Sequence, residues 1–127
     1  MFSSCCWMKT AFFFVACLLA SCASLPSNAR DPLVGQWRYA DNVQSCRYHF
    51  REDGHFSGEV RVRAKLVSKF TGTWTVQGDR LLYSYASDEL GRIPAGATDQ
   101  DRLLKVDGDS FLIEAADGSK RRYARVR

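Results

Sequence analysis

The chain has 127 residues, a formal net charge of +4 and 46 % apolar residues, enough for one small domain with a modest core. A charge so mild excludes a dedicated polyanion binder, and no nucleic-acid partner is expected. Five cysteines are present, but only Cys22 and Cys46 lie beyond residue 17, so a disulfide-rich scaffold is excluded as well.

The first element is a leader. Lys9 precedes an apolar run from Ala11 to Ala20 that ends in small residues, the layout of a secretory signal peptide. The run has about half of the ~20 residues a membrane-spanning helix needs. Met8-Lys9-Thr10 makes a more regular start than Met1, because residues 1–7 add no charge. Leu19-Ala20-Ser21-Cys22 resembles the lipobox of bacterial lipoproteins. That resemblance implies cleavage before Cys22, a thioether-linked diacylglycerol on its sulfur and an acylated amino terminus. Residues 1–21 are therefore expected to be signal peptide, 22–32 a lipidated tether and 33–127 the folded domain. With Cys22 acylated, Cys46 is expected to stand alone, buried and structural. Ala23 after the cysteine resembles the pattern sorted to an outer membrane, with the domain facing the periplasm.

From Leu33 onward the period is two. Phe56, Gly58, Val60, Val62, Ala64 and Leu66 share one parity, and charged or polar residues share the other, predicting a long strand with one wet face. Phe70, Gly72, Trp74 and Val76 predict a second. A three-residue Glu52-Asp53-Gly54 loop sets Phe50 opposite Phe56 and Tyr48 opposite Gly58. A two-residue Gly78-Asp79 turn pairs Val76 with Leu81, Trp74 with Tyr83 and Gly72 with Tyr85. The echo at residues 106–112 predicts a further hairpin pairing Val106 with Phe111 and Leu104 with Ile113. At Asp117-Gly118 the register stays open, because the tightest loop would point Arg122 inward. About eight strands result, near 34–40, 45–51, 55–66, 69–77, 80–87, 102–107, 110–116 and 119–126. The fold class is all-β, an antiparallel up-and-down meander that can close into a barrel and remove its edges. Gly35-Gln36-Trp37, the stretch Phe50-x-x-Asp53-Gly54-x-Phe56 and Gly72-Thr73-Trp74 resemble small bacterial lipocalin-like domains. The resemblance implies a small barrel with an apolar interior.

Catalytic and metal sites are not expected. The two histidines, His49 and His55, fall on the wet parity, where Arg51 opposes His55. No strand–elbow–helix context supports a nucleophile, and no Gly-rich phosphate cradle or other cofactor motif is present. Two residue groups remain. Tyr48, Trp74, Tyr83 and Tyr85 lie on the apolar parity and are the candidate ligand-binding residues, with aromatic area and hydroxyls to orient a small apolar molecule. The segment 87–101 is long enough to act as a lid over one mouth. The expectation is thus a non-enzymatic envelope lipoprotein, held to the membrane through Cys22, whose barrel binds a small apolar ligand or a partner. The alternative is a filled barrel that acts through its surface as a structural, assembly or inhibitor protein of the envelope.

Overall fold

A computed structural model describes residues 29–127, and the leader and the lipobox lie outside the described residues. A helical turn, α1 (Arg30–Leu33), precedes eight strands: β1 (Gly35–Ala40), β2 (Gln44–Phe50), β3 (His55–Val62), β4 (Lys65–Gln77), β5 (Arg80–Asp88), β6 (Thr98–Val106), β7 (Ser110–Glu114) and β8 (Lys120–Arg125). Each strand pairs antiparallel with the next, and β8 returns to β1, so the sheet is a closed barrel. Closure leaves no edge with unpaired amides.

The tight turns set the register as the sequence predicts. Arg51 N–H donates to His55 O and Gly54 N–H to Arg51 O, which closes the three-residue loop and places Phe50 opposite Phe56 and Tyr48 opposite Gly58. Gly54 has φ +91°, the left-handed conformation such loops require. Trp74 faces Tyr83 and Gly72 faces Tyr85. A Cβ on Gly72 would collide with the Ser84 carbonyl and the Phe56 ring, so only glycine fits there.

Three features depart from the expected pattern. The strand read as 55–66 ends at Val62, where Arg63 and Ala64, both at positive φ, turn the chain directly into β4. A bulge between Val60 and Arg61 then pairs Val60 with Ser68 and Arg61 with Leu66, which restores Phe70 and Trp74 to the inner face. A second bulge makes Leu103, not Leu104, the partner of Ile113, while Val106 faces Phe111 as expected. Finally, β6 begins at Thr98. The connection between β5 and β6 is therefore residues 89–97, shorter than the 87–101 segment read from composition.

The last hairpin resolves the open register. Ala115 N–H donates to Ser119 O across residues 116–118, so Phe111 faces Tyr123 and Ile113 faces Arg121. Arg121 therefore points inward and Arg122 outward.

Two ends follow from this order. The lower end carries α1 and the turns at 51–54, 78–79 and 107–109. The upper end carries the turns at 41–43, 63–64, 89–97 and 115–119. Leu33 of α1 is fully buried, and Trp37 Nε1 donates to its carbonyl at 2.8 Å. The helical turn thus packs on the barrel and stoppers its lower end.

Candidate functional site

The four aromatic residues singled out from sequence all point into the barrel and are 2 to 3 % exposed. Tyr48 is their hub. Its ring centroid lies 5.3 Å from Phe50, 5.8 Å from Tyr83 and 5.5 Å from Tyr123. Tyr83 and Tyr85 stack at 6.3 Å, and Phe111 lies nearly parallel to Tyr123 at 4.7 Å. Such spacings are those of rings in direct contact. The four side chains do not gather at one mouth. Trp74 sits toward the lower end, where its Nε1 donates to Arg51 O at 2.9 Å and the Arg30 guanidinium lies 4.7 Å from its ring. Tyr85 sits toward the upper end, its backbone bonded to Gly96 and Ala97 of the 89–97 connection. These rings fill the barrel along its axis.

Besides the expected tyrosine hydroxyls, the filled barrel holds a carboxylate that its sequence pattern does not announce. Asp101 is 2 % exposed and accepts the Tyr83 hydroxyl at 3.0 Å. Burial above all, then the charge of Asp101 and the nearby phenols, pushes the Tyr83 hydroxyl well above the usual phenol pKa. Its inward position was legible only by extending the β6 alternation back through Leu103 to Asp101, into residues that composition assigned to a loop. Cys46 is buried as its parity predicts, with Sγ 3.7 Å from the Tyr123 hydroxyl. It is disulfide-bonded, which corrects the expectation that it stands alone; no second cysteine occurs in residues 29–127, so its partner lies outside the described residues.

The 89–97 connection is pinned rather than loose. One carboxylate, Asp88, accepts Ser68 Oγ at 2.6 Å and the backbone amides of Lys69, Leu90, Arg92 and Ile93 between 2.9 and 3.1 Å. Ile93 turns inward and is buried at the upper rim.

The open clefts are on the outside. One of about 520 Å³ runs over β4, β5 and β6, where Thr73, Thr75, Ser84, Thr98 and Gln100 surround Leu82 with uncharged polar side chains and Asp99 adds one carboxylate. Trp74 and Tyr83 border it only from strands whose rings point inward. A second of about 370 Å³ includes Arg47, His49, Ser57, Glu59 and Lys69. His49 lies opposite Ser57, on the wet face as predicted, and His55 Nδ1 is 3.3 Å from Asp53. Among the described residues, no group of three or more His, Cys, Asp or Glu side chains is placed to hold a metal ion.

No known protein-family model matches the chain, and no curated protein matches it in sequence. Solved structures do. A lipocalin-like protein from Bacteroides uniformis ATCC 8492 superposes with a TM-score of 0.56 at 17 % identity, over 75 % of this chain and 99 % of that one. The fold is lipocalin-like. A second lipocalin-like protein, from Bacteroides thetaiotaomicron VPI-5482, has a TM-score of 0.55 at 20 % identity, over 75 % of this chain and 97 % of that one. A further Bacteroides uniformis protein, solved by NMR, has a TM-score of 0.52 at 20 % identity, over 76 % of this chain and 90 % of that one. At such identities the likeness establishes the barrel and nothing about ligands.

Proposed function

We propose that this chain is a non-enzymatic lipoprotein of a bacterial envelope, anchored through acyl chains on Cys22, whose filled lipocalin-like barrel acts on a partner through its outer surface. The packed interior carries this reading. A carrier of an apolar ligand needs an apolar cavity, on the order of 300 Å³ or more, whereas Tyr48, Trp74, Tyr83 and Tyr85 occupy that space with one another. Outside, the hydroxyl-rich cleft over β4–β6 offers hydrogen-bonding groups and a single carboxylate, Asp99, a surface suited to a polar partner.

The lipobox supports the anchor, and Ala23 favours the outer membrane with the barrel in the periplasm. The segment between Cys22 and Ala29 reaches at most about 25 Å when extended. It joins the barrel at the α1 end, so the upper loops would project away from the bilayer. A thioether sulfur cannot also sit in a disulfide, so the reading requires that Cys46 not be bonded to Cys22 in the lipidated protein.

Labelled palmitate tests the anchor directly. Incorporation into the wild-type chain, its loss in Cys22→Ser and accumulation of precursor under inhibition of the lipoprotein signal peptidase are expected. Absence of label in the wild type would refute it. Carriage of an apolar ligand remains the second reading because the Tyr83–Asp101 pair is a polar point inside an apolar barrel; it requires the stacked rings to part.

A further inference from the structure

The net charge of the chain is mild, but its placement is uneven. Strands β1, β2, β7 and β8 together contain one acid, Glu114, which lies 3.8 Å from Arg102 and 4.0 Å from Lys120. On the outer face of the same strands stand Arg38, Arg47 and Arg122, all exposed. Arg38 and Arg47 are register partners across β1 and β2. Like charges directly opposite one another destabilise a sheet, because their Cβ atoms are only about 5 Å apart. Neither guanidinium has an ion pair within 4.0 Å among the described residues. Glu59, across from Arg47 on β3, reaches Arg61 at 3.7 Å instead. Arg122 lies on the same face two residues before Ala124, the partner of Arg38, and donates to the Ser110 hydroxyl at 3.3 Å.

The outer wall is thus divided. In the closed ring of eight strands β1 lies opposite β5. Around β5 the wall presents Thr73, Thr75, Ser84, Thr98 and Gln100. Around β1 it presents arginines separated by the small side chains of Ala40, Ser45 and Ala124, which leave the guanidinium groups room to extend. The segment that precedes the barrel enters on this arginine side. Arg125 of β8 donates to the carbonyls of Pro32 and Val34 and so holds α1 at the seam between β8 and β1.

We propose that the β8–β1–β2 wall docks on the phosphate headgroups of an anionic bilayer. Charge complementarity sets the chemistry, since headgroup anions between Arg38 and Arg47 relieve their repulsion and also reach Arg122. The entry point of the chain favours a bilayer over an acidic protein, because the segment from Cys22 to Ala29 keeps this wall within about 25 Å of the lipid anchor. The inference rests on the proposed anchor for that proximity alone. The tether by itself lets the barrel stand on its α1 end. Headgroup contact tips it onto the arginine wall and turns the hydroxyl-rich cleft away from the membrane, toward a partner.

The test places the full chain in nanodiscs of phosphatidylcholine, with or without phosphatidylglycerol, that carry a headgroup spin label. Side-chain Nε signals of Arg38, Arg47 and Arg122 should broaden in the anionic discs and much less in the neutral ones, while the Thr73 and Ser84 amides stay sharp in both. Salt at 0.5 M should reverse the broadening, because it screens charges beyond a few ångströms. Arg38→Gln should lower the docked population about fivefold and Arg38→Gln/Arg47→Gln about 25-fold, whereas Arg38→Lys should preserve it. Arg80→Gln, on the opposite wall, should change nothing. Removing one of two opposed like charges does not weaken the sheet, so lost docking in these variants reports charge and not unfolding. Equal broadening in both discs, or docking that survives in the double variant, overturns the proposal. Arginine signals that stay sharp over anionic discs also overturn it and leave an acidic protein as the occupant. A chain that leaves neutral discs yet docks on anionic ones through these arginines would refute the anchor and uphold this inference.

Discussion

The Arg125 guanidinium lies 4.3 Å over the indole of Trp37 and joins the first strand to the last. The β1–β8 seam has only two register pairs, Trp37 with Arg125 and Arg38 with Ala124. Arg125 reinforces it by donating to Val34 O at 3.1 Å, Pro32 O at 2.7 Å and Gly108 O at 2.6 Å. One side chain therefore satisfies carbonyls of α1, of the chain entering β1 and of the β6–β7 turn.

Arg125→Ala should cost about 2–4 kcal/mol in urea denaturation, from the lost stacking and the orphaned carbonyls. Lysine should not rescue it, because a point charge cannot fork to three acceptors. Gly35, at φ +135°, leaves the space the guanidinium occupies, and a Cβ there would collide with it. Gly35→Ala should therefore cost measurably less in the Arg125→Ala background than alone, and additive effects would refute the coupling.

Trp74→Ala should cost about 3–5 kcal/mol by the same measurement, since it empties a buried volume and removes one of the two hydrogen bonds that the Arg51 carbonyl accepts. Thr73→Ala, its exposed neighbour, should cost well under 1 kcal/mol. Equal effects would show that the faces of β4 are reversed.

Asp88 links acid stability to the 89–97 connection. Burial works against its charge, but the hydrogen bonds from Ser68 and from the Leu90, Lys69 and Ile93 amides outweigh it and hold the carboxyl below the usual carboxylate range. A depressed folded pKa contributes stability above the unfolded value near 4, and this is lost as pH falls below it. Asp88→Asn should flatten part of the loss of unfolding free energy between pH 5 and 3. At neutral pH, hydrogen exchange of the Leu90, Arg92 and Ile93 amides should quicken in the variant.

Tyr83 supplies the alkaline counterpart. Its raised pKa means that its contribution is complete below about pH 10 and declines as pH climbs from the unfolded value toward the folded one. In spectrophotometric titration at least one phenol should therefore ionise only on unfolding, and Tyr83→Phe should remove it. That substitution should also cost about 1–3 kcal/mol, by taking a donor from the buried Asp101.

Much of the barrel was readable because its turns announce themselves. Gly54 and Gly78 punctuate strands whose alternation tests each register, so Phe50–Phe56 and Trp74–Tyr83 follow from loop length alone. What escaped lacked such a signal. Arg63 and Ala64 make a positive-φ turn without glycine, asparagine or aspartate. The bulges beside Val60 and Leu103 shift parity in runs where either register looks apolar. Arg121 and Asp101 are charged residues on an inward face, which binary patterning assigns to solvent. The aromatic candidates were correctly placed inside, but periodicity cannot distinguish rings that line a cavity from rings that fill it.

The central claim, that the barrel is filled and works from its surface, is tested most directly with a neutral amphiphile. A long-chain alcohol or monoacylglycerol carries no charge and so reports apolar burial alone, and tryptophan fluorescence of the domain from Ala23 onward reports entry near Trp37 and Trp74. With folding verified by circular dichroism, the account predicts no saturable quenching up to the solubility limit of the probe. One-to-one saturable quenching that Tyr83→Trp blocks by filling space would contradict it, and would make the barrel a carrier.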